Sequence, residues 1–288
     1  MPSQAMKQGM GGVTKAVLVI VLLAIAFVGG AYFGPRLGIG GGGGTPGPTL
    51  TDIVVGTNTP FPPFESRNPT TNALEGLDID LVNEIGRRND WNVIWRDFQD
   101  WDALLAAIEF RGVAIGASSI TSSGSIGAAR NNSFDFSNWY YEADQAILIR
   151  AGSTAVQCAA AECTPAELAN HTVAVQTITS SYWWIQGELV DTARTPASMV
   201  TDFGDLNLVI AELVNGNVDF VLVDKPIAER FVQQNALLAI EGSIETNELY
   251  AFAVADGDPE SLIADINTAL TTMKADGKFT EIMNKWLG

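Results

Sequence analysis

A two-lobed α/β body behind an apolar N-terminal segment is what the sequence predicts, on three observations. Strand-like and helix-like stretches alternate through residues 51–288, the pattern of parallel-type α/β sheets. That span is long for one sheet and suits two α/β lobes. Residues 1–50 differ from it in kind. They hold Lys7, Lys15 and Arg36 and no acid, so the net charge of −17, from 16 Lys and Arg against 33 Asp and Glu in 288 residues, resides entirely in the remainder.

Residues 16–33 (AVLVIVLLAIAFVGGAYF) are uncharged and mostly apolar. As a helix they extend about 27 Å, enough to cross a bilayer core. Lys7 and Lys15 precede the run and only Arg36 follows closely. The positive-inside bias therefore keeps residues 1–15 cytoplasmic and sends the body outside. A cleaved signal peptide is the rival, with Ala24-Ile25-Ala26 as a small-x-small site, although that site lies inside the apolar run. No cysteine stands near for a lipid anchor. Residues 34–50, with Gly40 to Gly44 unbroken, then Thr45-Pro46-Gly47-Pro48, read as a flexible linker. No Gly-Lys-Ser/Thr follows, so this is not a phosphate loop.

Within the body, residues 53–55 form a short strand. Leu81, Val82 and Ile85 share one face of a helix over 78–88, and Trp91, Val93 and Trp95 alternate as in a strand packed on the core. Asp100 caps a helix with Leu104, Leu105 and Ile108, which Gly112 ends. Residues 113–117 are a strand, 118–129 a polar loop and 146–149 a strand. Thr164-Pro165-Ala166-Glu167 is a capping box with Pro at the first helical position. Residues 172–176 are a strand, Thr179-Ser180-Ser181 a helix start, 205–214 a helix stopped by Gly216, and 218–224 a strand. Residues 249–255 are the last strand. Asp258-Pro259 opens a helix with Leu262, Ile266, Leu270 and Met273 on one face, and a final helix covers 280–287.

Composition excludes several functions. One His and two Cys cannot make a four-ligand Cys/His zinc site. The acidic charge opposes nucleic-acid binding, which rests on Lys and Arg neutralising phosphate. No metal or cofactor is expected. Cys158 and Cys163 enclose AAAE, and an oxidising exterior permits a disulfide there; the alternative is two unpaired small apolar residues.

Several segments, in order, resemble the extracellular solute-binding proteins of ABC importers, amino-acid type (family 3). They are VGTNTPFPPFE (residues 55–65), GLDIDLVNEIGRR (76–88), WDALLAAI (101–108), SIT (119–121), FDFSNWYY (134–141), VAVQ (173–176), VDFVLVD (218–224) and ADGKFTEIMNKWLG (275–288). The resemblance implies a type II periplasmic-binding-protein-like fold: two lobes joined by two crossover strands, near 143–148 and 249–252, closing on a ligand by hinge motion. Lobe I would comprise 51–145 and 250–288, and lobe II 146–249.

The resemblance also implies a clamp for a zwitterion. Arg130, six residues before Phe136, matches the carboxylate-binding Arg, whose fork pairs bidentately. Counted from Ser119 the family would place that Arg at Gly124, so extra residues intervene; the alternative is an exposed loop Arg. Asp224, ending an apolar strand, matches the ammonium-binding acid, or else caps a helix before Pro226. Phe61 and Trp101 match the aromatic walls, or else pack in the core. Ser119 matches a carboxylate-holding hydroxyl, with Ala117 offering backbone. Thr179 and Ser180 begin a helix whose free N–H groups favour an anion, or are ordinary caps. The family has Gly where this chain has Ile178. Asn58 and Gln176 match positions that read the ligand's side chain. Members that bind cationic amino acids carry an acid at the Asn58 position, so a polar or neutral amino acid is expected, although other acids could enter the pocket.

The function implied is a membrane-tethered, monomeric receptor that hands an amino acid to an ABC permease, with its body extracytoplasmic. Two alternatives share the scaffold: an enzyme resembling cyclohexadienyl or arogenate dehydratase, and a ligand-sensing module. No nucleophile–base pair is evident, and His171, between a helix and a strand, reads as structural, so no enzyme is expected.

Overall fold

The structure, a computed structural model, describes residues 50–288. The anchor expected at 16–33 lies outside the described residues, as does the linker apart from residue 50. Among the described residues no helix is long and apolar enough to cross a membrane.

β1 (Thr51–Asn58) leads through a turn and a small hairpin, β2 (Ser66–Arg67) with β3 (Leu74–Glu75), into α1 (Leu77–Arg88). Gly76 joins hairpin to helix at φ 141°, where an added Cβ would collide with Phe64 O. This glycine is required by conformation and by space. β4 (Trp91–Phe98), α2 (Trp101–Glu109), β5 (Ile115–Thr121), α3 (Gly124–Arg130) and β6 (Phe134–Phe136) follow. Asp100 is the N-cap of α2 and accepts from Ala103 N at 3.1 Å. The helix stops at Phe110, before Gly112, with Arg111 at φ 59°. The stretch expected as a loop is corrected in two ways: β5 runs on to Thr121, and the small residues after it wind into α3.

β7 (Tyr141–Arg150) is a long strand. Then come β8 (Val173–Gln176), α4 (Ser180–Ile185), β9 (Val200–Phe203), α5 (Leu206–Asn215), β10 (Phe220–Asp224) and α6 (Lys225–Gln234). β11 (Leu238–Ala255) precedes α7 (Leu262–Asp276) and α8 (Lys278–Leu287). α7 begins at Leu262, after Ser261 at φ 57°, and not at Pro259 as expected; Asp258 still serves its first turn, the carboxylate accepting from Leu262 N at 2.8 Å and Ile263 N at 3.1 Å. The capping box at Thr164 also forms, Glu167 Oε2 accepting from Thr164 N at 2.7 Å. Only turns follow it, however, and Asn170 breaks the chain direction at φ 58°.

The strands run β4-β1-β5-β11-β7-β10-β8-β9, with β6 beside β11. β1 lies parallel to β4 and β5; β8 lies parallel to β9 and β10. The antiparallel pair β7 and β11 joins these two parallel sets. β11 pairs with β7 along Leu238–Tyr250, with register shifts between Ile240 and Gly242 and between Ile244 and Glu248, and with β5 and β6 over Tyr250–Ala255. One apolar core gathers Ile53, Val55, Leu81, Ile85 and Ile266, with Trp91 and Trp95 packed against its edge. A second holds Ile147, Val173, Val175, Phe220 and Leu222.

Cys158 and Cys163 are bridged, with Cα atoms 5.1 Å apart. The bridge packs on β11, where a Cβ at Gly242 would collide with Cys163 Sγ. So short a loop restricts little of the unfolded chain. Reduction is expected to cost about 2 kcal/mol, read as a small drop in the urea midpoint with reductant. Loss of cooperative unfolding would contradict this local role.

Candidate functional site

The carboxyl ends of β1, β8 and β10 and the middle of β5 meet at a cleft where α/β sheets bind ligands. The cleft is closed down to about 30 Å³ of free volume, room for roughly one or two water molecules. Nine of the sequence-predicted residues line it: Asn58, Phe61, Trp101, Ser119, Arg130, Gln176, Thr179, Ser180 and Asp224. Ala117 does not; it is fully buried and packs in the apolar core with Val55 and Ile115.

Arg130 ends α3 and is only 8% exposed. Its Nη1 donates to Thr121 O at 2.9 Å and its Nη2 to Ile178 O at 3.2 Å. Its guanidinium carbon lies 5.6 Å from the centre of the Trp101 ring. Among the described residues no carboxylate lies within ion-pairing distance of it. Burial lowers its pKa to about 10, against the nearby Glu248 and Asp224 charges, so it stays cationic at neutral pH. A guanidinium has five donors; one with only two carbonyl partners, stripped of water, is a seat for an anion. The loop-Arg alternative is thereby overturned, and the additional residues before Arg130 are absorbed by α3. Ile178, where the family has Gly, takes φ 54°, so the position keeps the left-handed geometry that favours glycine.

Asp224 occupies the N-cap position of α6 but makes no side-chain cap. Its Oδ1 instead accepts from Gln145 Nε2. The same Gln145 nitrogen donates to Glu248 Oε1 at 2.7 Å, and Gln145 Oε1 accepts from Ser181 Oγ at 2.6 Å. Glu248 Oε2 accepts from Thr121 Oγ1 at 2.8 Å. Burial, then the neighbouring Glu248 carboxylate, raises Asp224 to about 8. Among the described residues no cation pairs with either acid, so the two form a seat for a positive charge. Gln145 on β7 and Glu248 on β11 are missing from the sequence reading. Their signal was a polar residue set in an apolar strand.

Trp101 is buried, its Nε1 without a partner, and the Ser119 hydroxyl is likewise unpartnered. Both are free for a ligand. Thr179 does cap α4: its hydroxyl accepts from Tyr182 N at 3.2 Å and donates to Gln176 O at 2.7 Å. Ser180 Oγ has only a long, 3.5 Å contact from Gln145 Nε2. Gln176 Nε2 donates to Asn58 Oδ1 at 3.1 Å and to Gly204 O at 2.9 Å, and Asn58 Nδ2 donates to Phe98 O at 2.8 Å. Thr177 Oγ1 donates to Asp102 Oδ1 at 3.0 Å. The β1 and β8 sides are thus hydrogen-bonded to each other across the cleft. Glu65, also unanticipated, lines the cavity. It lies four residues beyond Phe61 in a turn closed by Phe61 N donating to Glu65 O at 2.7 Å. An anion seat, a cation seat and two aromatic faces together suit a small zwitterion.

A sequence model described as bacterial extracellular solute-binding proteins, family 3, matches residues 53–288. A probable histidine-binding protein of Neisseria gonorrhoeae is 26% identical over 235 residues, covering 81% of each chain. The ABC transporter glutamine-binding protein GlnH of Bacillus subtilis (strain 168) is 26% identical and covers 82% of this chain and 81% of its own. Among solved structures, an ancestral arginine-binding protein bound to arginine matches with TM-score 0.72 and 29% identity, over 82% of this chain and 98% of the other. The arginine-, lysine-, histidine-binding protein ArtJ from Geobacillus stearothermophilus matches with TM-score 0.70 and 28% identity, over 83% and 96%.

Proposed function

The chain belongs to family 3 of the bacterial extracellular solute-binding proteins, a family of amino-acid-binding ABC transporter proteins rather than enzymes, and from that premise we propose that it captures an amino acid with a polar side chain for a membrane importer. The observation that carries this is the opposition of Arg130 to Asp224 across one closed cavity. The guanidinium takes the ligand's carboxylate in a forked pair. Asp224, backed by Glu248 through Gln145, takes the ammonium. Phe61 and Trp101 cover the aliphatic stem, and Asn58 with Gln176 supplies the polar end.

Residues 51–145 with 250–288 act as one lobe and 146–249 as the other. β7 and β11 are the only strands shared by both parallel sets among the described residues, so opening bends them. Arg130, hydrogen-bonded to both Thr121 and Ile178, links ligand capture to closure. The apolar run at 16–33 and the lysines before it support a tether that holds a monomeric body on the extracytoplasmic side, beside its permease.

A thermal-shift screen of the full chain in detergent against the twenty amino acids tests the reading. One or a few should raise the melting temperature by several degrees, since a ligand of the native state alone stabilises it. No shift with any amino acid refutes it. Retention of the full chain in carbonate-washed membranes tests the tether; release into the wash counts against it.

A further inference from the structure

We propose that a groove outside the cleft, between α2 and α3 on the β1 side and α4 on the β8 side, is a second binding site, for a small apolar cation; it stands apart from amino-acid capture. The groove holds about 650 Å³ of free volume, in the range of small-molecule pockets. Leu105 of α2, Ile126 of α3, Phe134, Ile178 and Trp183 give it an apolar lining. Ile178 holds φ 54°, a conformation that opposes a β-branched side chain. Its bond from Arg130 engages only the backbone oxygen, which glycine would supply equally. Yet the isoleucine side chain is 41% exposed and joins none of the apolar cores among the described residues. Trp183, 47% exposed, stands outside those cores as well, its ring edge-on to Tyr182 with centres 5.1 Å apart. An occupant of the groove that covers both side chains accounts for a strained, exposed isoleucine beside an exposed tryptophan.

The wall on the β8 side is irregular at the same place. α4 passes into a π-helical turn (Gln186–Val190), a form that concentrates at functional sites. Gly187 in that turn lines the groove, and a Cβ there would meet nothing within 4 Å, so packing inside the protein does not require a glycine. Charge then selects the occupant. Asp102, Glu109 and Asp191 also line the groove, and none of them is in an ion pair among the described residues. Arg130 is the one base among the described residues of the lining, and its Nη1 and Nη2 donate to Thr121 O and Ile178 O. Three carboxylates around an apolar wall repel an anion and attract a cation. Leu105, Ile126 and Phe134 cover the occupant's apolar part, and the Trp183 ring offers its charge a π face.

2-Phenylethylammonium and 2-phenylethanol, which differ chiefly in charge, test the site by titration calorimetry. The full chain is used in lipid nanodiscs, with empty nanodiscs subtracted, because detergent would itself enter an apolar groove. The ammonium should bind once per chain, at least about fivefold more tightly than the alcohol. Ile178→Gly should weaken the ammonium at least about fivefold yet raise the melting temperature of the empty protein, since it relieves the left-handed backbone. Trp183→Ala, on an exposed side chain, should weaken the ammonium as much and leave the melting temperature within a few degrees. Equal affinities for the two compounds overturn the proposal. So does an ammonium affinity that both substitutions leave unchanged; if Phe61→Ala lowers it instead, the ammonium sits in the cleft, which Phe61 lines, and not in the groove. Binding of neither compound overturns it and leaves the groove to a protein segment. Self-association of the chain that Trp183→Ala abolishes would make a second copy the occupant and overturn it too.

Discussion

Arg130→Ala is expected to abolish measurable amino-acid binding while leaving the fold intact. Truncating one partner of a buried, hydrogen-bonded charge pair costs about 2–5 kcal/mol, which is a loss of roughly thirtyfold to several-thousandfold in affinity. The upper part of that range applies here. Among the described residues Arg130 is the only basic one lining the cavity, so no other of them can neutralise the ligand's carboxylate there. The substitution also removes the donor to Ile178 O, so the closed arrangement loses a link even before ligand enters. The fold should survive, because Arg130 ends a short helix and lies outside the apolar cores. Circular dichroism should be unchanged and the unliganded melting temperature should move by a few degrees at most. Arg130→Lys keeps the charge but loses the fork, and should recover only part of the affinity. Affinity unchanged in Arg130→Ala would mean that the carboxylate binds elsewhere.

Arg130 also illustrates what the sequence can tell. Counting back from Phe136 locates it, because β6 is fixed by its pairing with β11. Counting forward from Ser119 does not, because the intervening small residues form a helix that no apolar periodicity announces. Asp224 was ambiguous between cap and ligand for a local reason: both roles want an acid at a strand end before Pro226. Only the position of Gln145, far away in sequence, turns its carboxylate into the cleft. Glu65, Gln145 and Glu248 were missed for a shared reason. Each is a polar residue whose buried partner comes from a distant part of the chain, and that partner cannot be read from its neighbours in sequence. The capping box at Thr164 is the reverse case, where the local hydrogen bonds are legible but no helix follows them. Nucleating a helix takes more than one satisfied turn.

Binding should tighten as pH rises through neutrality, and Asp224 is the reason. In the empty site burial and the Glu248 carboxylate raise its pKa to about 8, so at pH 7 it is mostly protonated. A ligand ammonium pairs with the ionised form, hence capture releases that proton. Affinity should rise by up to about tenfold per pH unit below 8 and level off above it. The stability of the unliganded protein should run the other way. Asp224 and Asp78, the latter raised by burial to about 7, bind protons more tightly folded than unfolded. Their contribution is therefore fully present only below the ordinary carboxylate range, falls progressively as pH rises from there, and is gone above about 8. Glu65 has the same sign. Arg130 stays charged across this window, and Tyr250, raised well above its ordinary value by burial, stays neutral, so neither reverses the trend. Melting curves at about pH 5.5 and about pH 8.5 test it: the empty protein should melt higher at the acid value, and saturating ligand should narrow or reverse the gap. Asp224→Asn should lose most binding and flatten what pH dependence remains. An empty protein that is more stable at about pH 8.5 would show that these carboxyls are ionised without ligand, and that the cation seat is already filled by something in the protein itself.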